Sequence, residues 1–309
     1  MMSEIPSDLE GLRRRIDEID DRLQDLLIER LEIVASVAAH KRGQGAIPAH
    51  QPAREAEIIR RLVRRRGGAF PPATLVRMWR ELLAATVRLQ SSFAVAVYAP
   101  PQALGYWDLA RDHYGSHTPM VPYRSPSQVI GAVMEGQAAV GVLPMPIEDE
   151  ADPWWRHLLS TDDHSPHVIA RLPFGARGNA RPSGADALAV GRGIEQPTGE
   201  DRTLFATENA ADISRGRIVS TLSGLGLVCT FITSCEHAGD ANTLIEIDGF
   251  VTPDDPRLER LQAQLGKSLY RLLPLGSYAV PLSAAAFSDV HQETGRAPAR
   301  FEAVAGAKG

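Results

Sequence analysis

Cysteine is nearly absent: Cys229 and Cys235 are the two in 309 residues. With no secretory pattern in the opening MMSEIPSDLE, that scarcity argues for reduced thiols, against a disulfide framework, and for the cytoplasm. No apolar run reaches the roughly 20 residues that a bilayer-spanning helix needs, so no membrane partner is expected. Aromatic residues make up only 6% of the chain, and none is interleaved with Arg64, Arg65 and Arg66. That basic run therefore reads as a solvated helix face and not as a nucleic-acid surface. Metal-ligand sets are also missing. His113 with His117 and His164 with His167 have usable spacings, but no cysteine or carboxylate set completes either. Gly191, Gly193 and Gly199 do not form a phosphate-binding pattern.

What is present is enough chain for two or three compact domains, at 44% hydrophobic residues. The net charge of -5 hides an asymmetry: residues 1–92 hold 16 Lys and Arg against 13 Asp and Glu, and the remainder 17 against 25. The front is basic and the back acidic.

From Asp8 to Arg42 the residues Leu9, Leu12, Ile16, Ile19, Leu23, Leu26, Ile33 and Val37 recur in three-four spacing, which predicts one long amphipathic helix. Ser7 or Asp8 can cap it, and Gly43 with Gly45 ends it. Such a helix is on the order of 50 Å long, more than a ninety-residue globule is wide. It must lie against something outside its own domain, most simply a second copy. A second helix is expected over Arg54–Arg66 and a third over Pro72–Ser91, with a proline at its first turn. At Phe93 the character changes. FAVAVYAP reads as a buried strand, followed by helices over Ala103–Tyr114 and Ser125–Glu135 and strands at AAVGVLP, HVIARL and DALAV, an α/β layer over 93–200. From 201 to 282 the order strand, helix, strand, strand, helix, strand is the ferredoxin-like plan. Residues 283–309, rich in Ala and Gly, read as a flexible tail. The fold class is thus a three-helix all-α domain over 8–91, an α/β segment and an α+β domain.

Polar residues interrupt the apolar stripes of the first domain. Arg30 sits between Leu26 and Ile33, Lys41 falls four residues after Val37, and Arg13 lies beside Leu12. Glu55 precedes Ile58 and Ile59 by a turn, while Thr86 and Gln90 follow Leu82 at four-residue steps. Each alone is most simply a salt bridge or a snorkelling side chain. Together, several cations directed inward with few carboxylates describe a pocket for a small dianion.

The stretch LRRRIDEIDDRLQDLLIERLEIV, then HK, PAREAEIIRRL and LLAATVRLQ, resembles the all-α chorismate mutases over residues 8–91. The resemblance implies an intertwined homodimer that converts chorismate to prephenate in aromatic amino-acid biosynthesis. In that scheme Arg13 reaches into the partner's site, Arg30 binds a substrate carboxylate, Lys41 and Gln90 hold the ether oxygen, and Glu55 takes the ring hydroxyl with Arg54 beside it. Thr86 stands where a serine is often found near the ring carboxylate, and Gln51 stands where some members carry Asp. The rearrangement is intramolecular, so it requires no nucleophile, metal or redox cofactor, only positioning and stabilisation of the growing charge.

AAVGVLPMPIED at 138–149 resembles part of the prephenate dehydratases, but its Asn-Ser end is replaced by Asp149 and Glu150, and 93–200 is short for that two-lobed fold. LIEIDGF and LPLGSYAVPL resemble strands of an ACT regulatory domain. That likeness implies an amino-acid effector, yet the usual effector-binding segment reads Thr233, Ser234, Cys235 and Glu236 here, which favours a structural role. Two alternatives to a monofunctional mutase stand beside it: a bifunctional mutase and dehydratase, and a non-catalytic amino-acid sensor or activator of a partner enzyme.

Overall fold

The computed structural model describes residues 8–42, 48–65, 70–150, 152–160, 165–182, 186–237 and 239–287. Three helices come first: α1 (Leu9–Arg42), α2 (Pro52–Arg65) and α3 (Pro72–Gln90). Asp8 caps α1, its Oδ1 accepting from the Gly11 amide at 2.7 Å. Both α2 and α3 start on a proline, whose missing N–H costs nothing in a first turn. Ala56, Ile59 and Val63 of α2 pack on Val76 and Leu83 of α3 and on Phe174 from further along the chain. The stripe of α1 is left bare, with Leu26 and Ile33 each 58% exposed.

The rest of the chain builds one nine-stranded mixed sheet, not two separate layers. Its order is β2-β1-β3-β5-β4-β9-β6-β8-β7, formed by β1 (Val95–Tyr98), β2 (Met120–Tyr123), β3 (Val140–Pro144), β4 (His167–Leu172), β5 (Ala187–Gly191), β6 (Asp201–Ala210), β7 (Cys229–His237), β8 (Asp240–Asp248) and β9 (Leu269–Ala279). In the first half β1 pairs in parallel with β2 and β3, and β5 runs antiparallel to β3 and β4. Alternation divides its residues between two cores. Val95, Val97, Val140 and Val142 face α4 (Gly105–Tyr114) and the end of α3, whereas Ala96, Leu143, Leu188 and Val190 face α5 (Pro126–Met134) and a 3-10 turn at Trp154–Leu158.

The second half has the strand-helix-strand-strand-helix-strand order expected from the sequence. Its strands, in the order β9-β6-β8-β7, are antiparallel. Helices α6 (Arg215–Gly224) and α7 (Pro256–Leu265) cover one face through Ile218, Leu222, Leu258 and Leu261. The halves meet where β4 and β9 pair in parallel at Val168 and Gly276. Gly276 has φ +115°, and a Cβ there would stand 2.2 Å from the Val168 carbonyl oxygen, so only glycine lets the strands approach.

Two local expectations differ from the structure. MVPY at 120–123 is a strand, hidden in the sequence by Pro122 and by half-exposed side chains. Ala284–Phe287, expected in the tail, form a 3-10 turn whose Phe287 packs with Val76 and Phe174. The segment Thr233–Glu236, in place of the usual effector-binding one, lies within β7. Residues 288–309 lie outside the described residues.

Candidate active site

Helix α3 is flanked on two sides. Against one of them, Arg30 of α1 donates from Nη1 to Thr86 Oγ1 at 3.2 Å. The hydroxyl of Thr86 itself donates to the Leu82 carbonyl at 2.7 Å, fixing its rotamer, and Gln90 Nε2 donates to the Thr86 carbonyl at 3.1 Å. Arg30 is half-buried, and burial pushes its guanidinium down from its ordinary value. Arg30 therefore meets Thr86, 56 positions away along the chain, where α1 crosses α3, and Gln90 lies one turn further along α3.

The second seam lies between α2 and α3. Glu55 Oε2 accepts from Arg80 Nη1 at 3.0 Å, and both groups are buried, at 8% and 4% exposure. Glu55 Oε1 lies 3.9 Å from His50 Nε2. The imidazole packs on Phe93 and Tyr114 with ring centroids 5.1 and 5.7 Å away. Burial lowers the His50 pKa first, Glu55 opposes that shift and Arg80 reinforces it, so the ring is neutral near pH 7. Burial likewise lowers Arg80, against Glu55 and Tyr114, and raises the Tyr114 phenol. Arg80 and Thr86 are six residues apart on one helix, hence about 120° apart around it and about 9 Å along it.

The remaining residues are dispersed. Arg54 is exposed and pairs with Glu57 at 2.8 Å. Gln51 Nε2 donates to the Pro48 carbonyl at 3.3 Å. Lys41 is the last but one residue of α1, but its side chain lies outside the described residues, as does His164. Arg13 is exposed on α1, seventeen residues before Arg30, which sets it about 25 Å away along the helix axis. No rotamer closes that gap, so within one chain Arg13 stays apart from Arg30, Thr86 and Gln90.

Arg80 and Arg60 escaped the sequence reading although a signal existed. Both sit on buried stripes, Arg80 with Val76, Leu83 and Val87, Arg60 with Ala56, Ile59 and Val63. A charge inside an apolar stripe marks a buried partner. His50 gave no such signal, because its burial comes from Phe93 and Tyr114, remote in sequence. Of the other histidines, His113 is buried against Tyr114 with centroids 4.7 Å apart. No described helix is long and apolar enough to cross a membrane.

Comparison with known proteins agrees on the first domain. A bifunctional chorismate mutase/prephenate dehydratase of Aquifex aeolicus is 31% identical over 142 residues, covering 45% of this chain and 39% of its own. One of Pseudomonas aeruginosa is 27% identical over 157 residues, covering 50% and 42%. The chain therefore spans about two fifths of the length of these relatives. Among solved structures, a prephenate dehydratase from Streptococcus mutans overlays 61% of this chain and 98% of its own at 17% identity and a TM-score of 0.41, too loosely to carry an argument. The family Chorismate mutase type II matches residues 12–91, a span that contains the Arg30, Thr86 and Gln90 cluster and the Glu55–Arg80 pair, so the helical unit of this chain is a chorismate mutase type II domain.

Proposed function

We propose that this protein is a chorismate mutase that rearranges chorismate to prephenate, working as a cytoplasmic homodimer, with the sheet-forming part of the chain in a structural or regulatory role. The observation that carries the reading is the bond from Arg30 to Thr86 across one helix crossing inside the matched domain, with Gln90 one turn further along α3. In that role Arg30 holds one carboxylate and selects the compact substrate conformer, which supplies orientation. Lys41 and Gln90 donate to the ether oxygen as negative charge develops there, a contribution of about 3 to 4 kcal/mol for each well-placed donor in a site shielded from water. Glu55 accepts from the ring hydroxyl, with Arg54 beside it.

The second carboxylate needs a second cation, and Arg13 of another copy fits. About 25 Å separates it from Arg30 on a straight helix, and the bare stripe around it, with Ile16 57% and Leu23 52% exposed, supplies the apolar surface that a paired α1 would cover. The antiparallel four-stranded unit at the C-terminus is read as an ACT-like domain and residues 93–200 as a shortened dehydratase-like segment. Thr233–Glu236 are strand residues, which favours a structural part for that unit over amino-acid sensing.

The test is to follow loss of the diene absorbance of chorismate with purified protein and to assay for prephenate and phenylpyruvate, with Arg30→Ala as control. Prephenate alone, lost in the variant, is the expected result. Phenylpyruvate as well would restore a bifunctional enzyme, and no consumption by a folded dimer would leave a sensor or activator in its place.

A further inference from the structure

Glu55 is the carboxylate assigned above to the ring hydroxyl, and the structure leaves it half committed. Oε2 is taken by Arg80 Nη1 at 3.0 Å, while Oε1 stands 3.9 Å from a neutral His50, beyond hydrogen-bond reach. Arg80 is 4% exposed, and its guanidinium is occupied by Glu55 and by an aromatic ring, so it is not placed to touch substrate. Its own orientation comes from outside the helical unit. The guanidinium carbon lies 5.2 Å from the centroid of the Phe174 ring, just beyond β4, and Arg60 of α2 lies 5.6 Å from the same ring. Arg60 in turn is bonded to both ends of the C-terminal unit: Nη1 to Thr198 Oγ1 at 2.7 Å, Nη2 to the carbonyls of Glu200 and Val280 at 2.8 and 2.7 Å. One aromatic ring of the α/β layer thus sits under two arginines of the mutase helices.

From this geometry we propose that Arg80 is a positioning residue for the mutase reaction: it grips one oxygen of Glu55, is itself held on Phe174, and so presents the other oxygen to the substrate hydroxyl. The inference rests on the chorismate mutase reading. A glutamate without that grip samples several rotamers, and each turnover then meets a carboxylate out of place. The α/β layer thereby becomes part of the machinery, because the ring that fixes Arg80 belongs to it.

Steady-state kinetics on the full chain with chorismate test the idea. Arg80→Met is expected to lower kcat/KM by about a hundredfold, the scale of a misplaced catalytic group, with Arg80→Lys recovering part of the loss. The decisive comparison is a double-mutant cycle. If Arg80 acts through Glu55, adding Arg80→Met to Glu55→Gln changes kcat/KM by less than about threefold, whereas a merely structural arginine would cost as much in either background. Full multiplication of the two losses, or an Arg80→Met enzyme within threefold of the parent, overturns the proposal. Should Arg80→Met fail to fold, Phe174→Leu keeps the ion pair and removes the ring, and at unchanged helical circular dichroism it should lose about tenfold; no loss there also overturns it. A parent protein that leaves chorismate intact sinks the mutase reading and this proposal together, while failure of the variants alone leaves the mutase reading standing.

Discussion

Replacing Arg60 with methionine isolates the bond between the two parts of the chain, because the unbranched stem is kept and only the guanidinium is lost. Arg60 is 3% exposed, and its acceptors differ in what they have left once it goes. The Glu200 carbonyl still accepts from the Val280 amide at 2.8 Å and from the Thr198 hydroxyl at 3.3 Å. The Thr198 hydroxyl still reaches Asp201 Oδ1 at 2.6 Å. The Val280 carbonyl, among the described residues, has no other donor. Orphaning this half-buried carbonyl costs about 1 kcal/mol, the low end for a buried group, and the two weakened acceptors lose about 1 kcal/mol each. Against this, a buried cation no longer has to be desolvated, and that returns part of the loss. The balance is a destabilisation of about 2 to 3 kcal/mol. For a chain of this length that corresponds to a fall of about 4 °C in Tm. Thermal unfolding by circular dichroism would read it, and hydrogen exchange should quicken at 198–202 and 278–280. A Tm within about 1 °C of the parent, the range of an ordinary surface change, would show that Arg60 does not join the helices to the sheet.

Gln90 donates through an amide that carries no proton to lose, so mutase activity should be nearly flat with pH around neutrality, and Gln90→Glu should move the optimum toward acid; an unchanged profile in that variant would remove Gln90 from the ether-oxygen role. The buried histidines make a separate prediction about stability. Burial lowers the pKa of His113 well below its ordinary value, with Arg80 and His50 adding to the shift, and lowers His50 as well. The unfolded chain protonates both near pH 6.5 while the folded chain does not, so stability is full above about pH 6.5 and falls as pH drops below it, by up to about 1.4 kcal/mol per pH unit for each ring. Urea midpoints between pH 7.5 and 5.5 should show that slope, and His113→Leu should reduce it; equal slopes would mean that His113 is protonated inside the fold.

The three helices and the C-terminal unit were legible because each carries a strong local period. Leu258, Leu261 and Leu265 recur as a helix demands, and alternation in LIEID marks β8. β2 was not legible: it holds a proline at a sheet edge and no fully buried residue, so neither period nor burial signals it. The joining of both halves into one sheet was invisible too. It hangs on Gly276, which the sequence shows only as one glycine among 26. At the site, Arg30, Thr86 and Gln90 could be read as polar interruptions of apolar stripes. The pairing of Glu55 with Arg80 could not, because the sequence shows that Glu55 faces inward but not which of several inward cations it meets.

The helical unit carries two kinds of unmet surface, and they are met differently. On α2 and α3 the buried cations Arg60 and Arg80 find acceptors and an aromatic ring supplied by residues 174–280 of the same chain. A buried guanidinium without such partners would cost several kcal/mol, so these helices are built for the docked state and not for life as a separate domain. On α1 the same chain reaches Arg30 through Thr86 of α3, and among the described residues the apolar stripe stays bare. Leu9, Ile16, Leu23, Leu26 and Ile33 are all more than half exposed over a helix of 34 residues, and Arg13, unlike Arg30 on the same helix, is out of reach of the cluster it would serve. In the proposed homodimer the arrival of a second α1 would answer both the apolar area and the cation displaced by about 25 Å. On the homodimer proposed above, the contacts within the chain would hold Glu55 in place, and a contact between chains would complete the charge that Arg30 begins.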